Sequence, residues 1–169
     1  DTYKEVISSY PTSEEARVAS DDLKRIYADD GNLDDYAKFI ASVPNAPKLE
    51  AAEMDELTFR AAEKAYLNDN AATSKLRDYV SRYPGGQYEP QALSYLATAA
   101  VNAGNEADAL QYATMITERY PDSEAAEDAL AIKGEAEYAA GNGEQALATF
   151  RKLESRASAS RNIHAARLG

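Results

Sequence analysis

The sequence predicts an all-α fold, a right-handed α-solenoid of stacked antiparallel helix hairpins, and three observations carry that expectation. Among 169 residues there are 34 alanines against 11 valines and isoleucines, a balance that favours helix, since β-branched residues are what strands prefer. A shift of 37 residues superimposes Arg82-Tyr83-Pro84 on Arg119-Tyr120-Pro121, Ala92-Leu93 on Ala129-Leu130, Ala103-Gly104-Asn105 on Ala140-Gly141-Asn142, and Ala109-Leu110 on Ala146-Leu147. Proline and Gly-Asn then alternate as punctuation: Gly104 follows Pro84, and Gly141 follows Pro121, by the same 20 residues that separate Pro11 from Gly31. Pro47 falls 36 after Pro11 and 37 before Pro84, and Leu67-Asn68 stands in place of Gly-Asn in that copy. A fixed period of this size is the mark of a repeat architecture, in which each hairpin buries its apolar faces against the next.

The punctuation places the elements. Tyr-Pro ends a helix after residues 10, 83 and 120, because proline lacks a donor and disfavours helix in the residue before it. Gly-Asn closes a helix at 31, 104 and 141, since both residues tolerate the left-handed backbone of a helix end. The segments between read as helices at 2–10, 13–29, 33–43, 49–66, 70–83, 89–103, 106–120, 123–140, 144–157 and 161–168. The clearest is 123–140. Asp122-Ser123-Glu124 offers a capping residue and an acid at the positive dipole end, and Ala126, Ala129, Leu130, Ala136 and Ala140 recur mostly at steps of three and four. The partner helices carry Ala109, Leu110, Ala113 and Ile116 in one unit and Ala146, Leu147, Phe150 and Leu153 in the next. Methyl side chains let helix axes approach closely, so Ala97, Ala99, Ala109, Ala113, Ala136 and Ala146 are the expected packing contacts. The expected organisation is one repeat domain over 1–169: a partial second helix at 1–11, units 12–47, 48–84, 85–121 and 122–157, and a partial first helix at 158–169.

Helix pairs of this kind resemble tetratricopeptide repeats. Gly134, Tyr138, Gly141 and the run Ala146-Leu147-Ala148-Thr149-Phe150 match the family pattern in the last unit, and Leu93, Leu96, Ala97, Gly104, Ala109 and Pro121 match it in the unit before. The chain departs from that pattern at Lys133, where a leucine is usual, at Ala113 for phenylalanine, and at Lys24, where a small residue is usual. Tyr10-Pro11-Thr12-Ser13 and Tyr120-Pro121-Asp122-Ser123 are similar to the punctuation of bacterial envelope members such as the Tol–Pal coordinator and the outer-membrane β-barrel assembly lipoprotein. The resemblance implies a non-catalytic scaffold for protein–protein interaction and favours the periplasm or the periplasmic face of the outer membrane. It leaves the compartment open, because cytoplasmic members share the motif.

Composition narrows the chemistry. Hydrophobic residues make up 44% and charged residues 28%, enough for a packed core, and the formal net charge is −11. That charge repels phosphate backbones and anionic lipid, so nucleic acid is not an expected partner. No apolar run is long enough for membrane insertion. With no cysteine, thiolate metal sites and cysteine nucleophiles are excluded. His164 is the single histidine and reads as a surface or packing residue. Asp29-Asp30-Gly31-Asn32-Leu33-Asp34-Asp35 lacks the alternating acids and distant Glu of a calcium loop and coincides with the inter-helix turn. Gly141-Asn142-Gly143 has no preceding strand, as a phosphate loop requires. No catalytic residue, metal site or cofactor is therefore expected. Glu124, Glu127, Glu135 and Glu137 read as solvated helix faces. Tyr10, Tyr83 and Tyr120, each before proline, read as helix-end anchors.

Function then rests on shape. The concave wall of such a solenoid is lined by the first helix of each pair, and a partner segment lies along it. The faces turned away from Leu93, Ala97, Leu130 and Gly134 give the partner-binding candidates Gln91, Ser94, Thr98, Asn102, Asp128, Glu135 and Tyr138. This lining is polar to acidic and has no Lys/Asn set of the kind that clamps a peptide carboxylate, so a polar or basic segment is the expected partner. The rivals are a structural spacer and a small-ligand or hydrolytic protein using the acidic groove. Val6 and Ile7 at one end, and Ile163 and Leu168 at the other, are expected to stay partly exposed. On that reading the chain is an excerpt of a longer repeat protein that associates weakly end to end.

Overall fold

The computed structural model describes the backbone of residues 2–168 and the side chains of residues 2–157. The described residues are helical, with no strand, in the order α1 Thr2–Ser9, α2 Glu14–Asp29, α3 Leu33–Ser42, α4 Ala51–Asn68, α5 Ser74–Arg82, α6 Glu89–Asn102, α7 Glu106–Arg119, α8 Ala125–Ala139 and α9 Gly143–Leu168. Within each unit neighbouring helices pack on one another, α1 with α2, α2 with α3, α4 with α5, α6 with α7, α7 with α8 and α8 with α9, in an all-α, tetratricopeptide-like architecture. They gather into two compact units, Asp1–Tyr88 and Glu89–Gly169.

The Gly-Asn turns follow one design. Gly31, Gly104 and Gly141 all take left-handed backbone, at φ of 78°, 68° and 80°. The amide of the following asparagine donates back into the helix it ends: Asn32 to the Tyr27 carbonyl at 2.8 Å, Asn105 to Ala100 at 2.9 Å and Asn142 to Glu137 at 2.9 Å. This is the Schellman closure, which satisfies carbonyls that the helix end leaves free. Gly143 has no such constraint. Gly141→Ala is therefore expected to cost about 1–2 kcal/mol, whereas Gly143→Ala adds about 0.4–1 kcal/mol of stability. Urea unfolding of the two variants checks the opposite signs.

In the first unit α2 packs on α1, α3 and α4, and α4 on α5. Its core joins Ile7, Leu23, Leu33, Tyr36 and Ile40 with Ala19, Ala28 and Ala61. Ile7 is 1% exposed, and Val6 packs against the same cluster. Val6 stays partly exposed as expected, but the expectation fails for Ile7: α1 lies on α2, and Ile7 turns into that contact. Ile163 and Leu168, like His164, lie outside the residues whose side chains are described. An aromatic cluster holds α4 to α5. Phe59 stacks on Tyr88 with centroids 4.7 Å apart and meets the edge of Tyr79 at 5.5 Å, and Tyr79 stacks on Tyr83 at 5.4 Å.

Lys24, where the family usually has a small residue, works as a tie instead. Its ammonium reaches Asp21 at 2.9 Å in its own helix and Glu53 at 2.6 Å on α4. Burial pushes the Lys24 pKa down, but Glu53 and Asp21 outweigh it, and the net shift is upward. The Lys24 hydrogen bond holds the Asp21 carboxyl below its ordinary value. A depressed carboxyl contributes stability above the ordinary aspartate value of about 3.9, and that contribution disappears as pH falls through the folded value. The raised lysine contributes throughout the range below its own ordinary value. Acid titration of the folded protein should thus weaken the first unit below about pH 4, and Lys24→Met should flatten that loss. Unfolding followed across pH 2–7 (the range in which carboxyls titrate) reads it.

In the second unit α7 packs on α6 and α8, α8 on α9, and α6 touches α8 directly. Alanine makes this closeness workable: Ala92, Ala97, Ala109, Ala113, Ala126, Ala129 and Ala146 are at most 2% exposed, around Leu93, Leu96 and Ile116. Gly134 is the tightest point, since a Cβ there would lie 2.6 Å from the Phe150 ring. Three expectations need correction. Residues 144–157 and 161–168 form one helix, α9, because no proline or glycine interrupts Ala157-Ser158-Ala159-Ser160. Leu147 and Phe150 are 52% and 37% exposed, so the apolar stripe of α9 is only partly covered. α5 begins at Ser74 rather than at residue 70, after a turn in which Asp69 accepts from the Ala71 amide at 3.0 Å.

Candidate functional site

The punctuation residues build the supports before any face can present side chains. Arg119 and Tyr120, at the end of α7, close on Glu89 at the start of α6. The guanidinium donates to both carboxylate oxygens, at 2.7 and 2.9 Å, the Tyr120 hydroxyl donates to one of them, and Glu89 is 0% exposed. The cation also lies 5.3 Å from the Tyr120 ring centroid. Pro90 in the first turn of α6 removes only an amide that the helix would leave free. The other arginines of the same register find other partners: Arg82 pairs with Asp34 and lies over Tyr83, and Arg156 donates to the carbonyls of Pro121 and Ser123. Tyr120 thus anchors a helix end as expected, and the Tyr83 hydroxyl lies 3.3 Å from that of Thr58. Tyr10 does not act this way, being 68% exposed. The Ser123 hydroxyl does not cap α8; it donates back to the Tyr120 carbonyl at 2.8 Å, whereas Ser13 accepts from the Ala16 amide at the start of α2.

None of the seven sequence-derived groove residues is buried. On α6, Gln91, Ser94, Thr98 and Asn102 fall at steps of three and four and share one face. Gln91 donates to the Tyr95 hydroxyl at 3.1 Å. On α8, Asp128 and Glu135 stand two turns apart on one face, and Tyr138 is 72% exposed. The 37-residue shift carries Gln91 onto Asp128 and Thr98 onto Glu135, so equivalent positions of two touching helices present these side chains. Glu135 alone among the seven also lines a cleft of about 230 Å³ near the turn between α6 and α7, together with Val101, Gly104, Glu106, Ala109, Ile132, Ala136 and Ala139.

Sequence reasoning missed three of the acids that matter here. Glu137, read as solvated, is 8% exposed: it accepts from the Thr149 hydroxyl at 2.7 Å and lies 4.0 Å from Lys133. That contact gives Lys133 its place where the family has leucine. Glu89 carried no signal of its own, although the repeated Arg-Tyr-Pro would have pointed to an acid within reach. Glu106, the first residue of α7, carried no signal either. In the acidic turn of the first unit, Asp29 meets Lys64 at 2.6 Å, Asp34 meets Arg82, and Asp35 meets Lys38 at 3.0 Å. Among the described residues no group of three or more His, Asp or Glu side chains is placed to hold a metal, and no helix is long and apolar enough to cross a membrane.

Fold and exposed face together define a helix-hairpin repeat protein with a polar, acidic surface over an alanine-packed core. A sequence model of the tetratricopeptide repeat family matches residues 91–123, the segment that carries α6 and α7 into the next Tyr-Pro. Repeats of this family generally mediate protein–protein interaction. No curated protein matches the chain in sequence.

Proposed function

We propose that this chain is a non-catalytic scaffold that receives a polar or basic partner segment on the shared face of α6 and α8. The observation that carries the reading is the placement of Asp128 and Glu135. Both are exposed on α8 and neither forms an ion pair among the described residues, and Thr98 and Asn102 are exposed on α6, the helix that touches α8. A surface of this sign favours cationic or hydrogen-bonding partners and accelerates their encounter. A role in bacterial envelope assembly is supported by the Tyr-Pro-x-Ser likeness. Affinity capture with wild type, Asn102→Ala and Glu135→Lys tests the face. The charge reversal is expected to abolish capture of the partner and the alanine variant to weaken it, while helix content stays unchanged. Undiminished capture by both variants would remove the face from the binding site.

A further inference from the structure

We propose that Asn142 is a modification site, at which the side-chain amide is exchanged for an acid through a cyclic imide closed by the Gly143 amide nitrogen. Asn142-Gly143 is the single Asn-Gly step in the sequence. Glycine puts no Cβ beside the attacking nitrogen, and nothing lies within 4 Å of the position a Cβ of Gly143 would take. The fold does not require glycine there. Its backbone is not left-handed, and Leu33 and Glu106 hold the same register after the other two Gly-Asn turns. As the first residue of α9, Gly143 has an amide that no carbonyl of its own helix can reach. The segment 139–145 is exposed throughout, so water reaches both groups.

Related positions in the chain are protected. The Asn105 side-chain carbonyl accepts from the Asp108 amide at 3.2 Å, and its NH2 group donates to the Asp108 carboxylate at 2.8 Å. Gln145 stands in the register of Asp108, and no hydrogen bond holds the Asn142 side chain among the described residues. Asp30-Gly31 is chemically able to form the same ring, but the Gly31 amide is already donated to the Ala28 carbonyl at 3.0 Å. At Asn142, the Gly143 nitrogen gives its proton to hydroxide and attacks Cγ. The N–Cγ bond forms as the Cγ–NH2 bond breaks, and the leaving group takes a proton from water and departs as ammonia. Water then opens the imide at Cγ, giving aspartate, or at the backbone carbonyl carbon, giving isoaspartate. Either product adds one negative charge to the formal −11. Aspartate suits the start of α9, where the helix dipole favours an acid. Isoaspartate lengthens the main chain by a methylene and displaces the Asn142 carbonyl, which accepts from the Ala146 amide at 3.0 Å. The turn between α8 and α9 therefore loosens only in the β-linked product.

The full chain is incubated at mildly alkaline pH beside the blocked peptide acetyl-Ala-Gly-Asn-Gly-Glu-amide, then digested for mass spectrometry with electron-transfer fragmentation, which separates aspartate from isoaspartate. The expected result is acid-for-amide exchange at Asn142 in both isomers, at a rate that rises in proportion to hydroxide, while Asn32 and Asn105 stay amides. Gly143→Ala is expected to keep its helix content and lose the isoaspartate product. Hydrogen exchange of the isoaspartyl chain should show lost protection at the Ala146 amide, which Asn142→Asp retains. An intact Asn142 when the peptide is fully converted, aspartate without isoaspartate, or an unchanged rate in Gly143→Ala overturns the proposal. Protection at Ala146 that survives in the isoaspartyl chain overturns the loosening of the turn.

Discussion

Glu89→Ala is expected to destabilise the second unit by about 1–3 kcal/mol, because it removes a wholly buried acceptor of charge-assisted hydrogen bonds, while the Arg119 left behind is 40% exposed and recovers part of the loss in water. The carboxylate is wholly buried and receives two guanidinium bonds and one phenol bond, so its loss strands Arg119 and Tyr120 together at the α6–α7 junction. Arg119→Ala leaves the wholly buried Glu89 carboxylate without its cation and should be the costlier change, at about 3–5 kcal/mol. Glu89→Gln keeps the shape and one acceptor and is expected to fall between wild type and Glu89→Ala. Urea unfolding gives the ranking, and hydrogen exchange of the α6 and α7 amides shows whether the loss is local to that junction. A Glu89→Ala variant within about 0.5 kcal/mol of wild type, the range of ordinary surface changes, would show that the pair holds nothing together.

Phe59→Ala is the second large effect, at about 3–5 kcal/mol for a fully buried ring. Phe59 is 0% exposed, and its removal takes away both a stacked and an edge-on aromatic contact. It also loosens Tyr79, whose hydroxyl donates to Asp55 at 2.5 Å and accepts from the Tyr88 amide at 3.2 Å. Asp55 in turn accepts from the Gln87 amide at 3.0 Å, so the turn after α5 depends on this cluster. Because the chain has no tryptophan, near-UV circular dichroism reports its tyrosines. The variant should lose part of that signal before global unfolding, and Phe59→Leu should retain most of the stability.

The helices were legible because their ends are chemically marked. Gly31, Gly104 and Gly141 occupy a backbone region that other residues avoid, and the prolines at 11, 84 and 121 stop the helix ladder. Where the marks are missing, reading by register failed. α9 runs past residue 157 because periodicity alone does not break a helix. Alanine burial was legible at Ala97, Ala109, Ala113 and Ala146, since a methyl group in repeat register has one natural use. The fate of charged residues was not. Glu89, Glu137 and Lys24 look like surface residues, and only the three-dimensional approach of Arg119, Thr149 and Glu53 gives them partners on another helix. The groove residues were placed on exposed faces by spacing alone, but the cleft at Glu106 and Glu135 needs the contact of a turn with the next hairpin, which no single helix pattern contains.

Site-specific photo-crosslinking tests the scaffold claim most directly. A photoreactive side chain at Thr98 or Asp128, on the α6/α8 face, should trap the partner, whereas one at the exposed Gln111 of α7 should not. Adducts from Thr98 and Asp128 alone are the predicted result. Adducts from Gln111 with none from either face position would contradict the account.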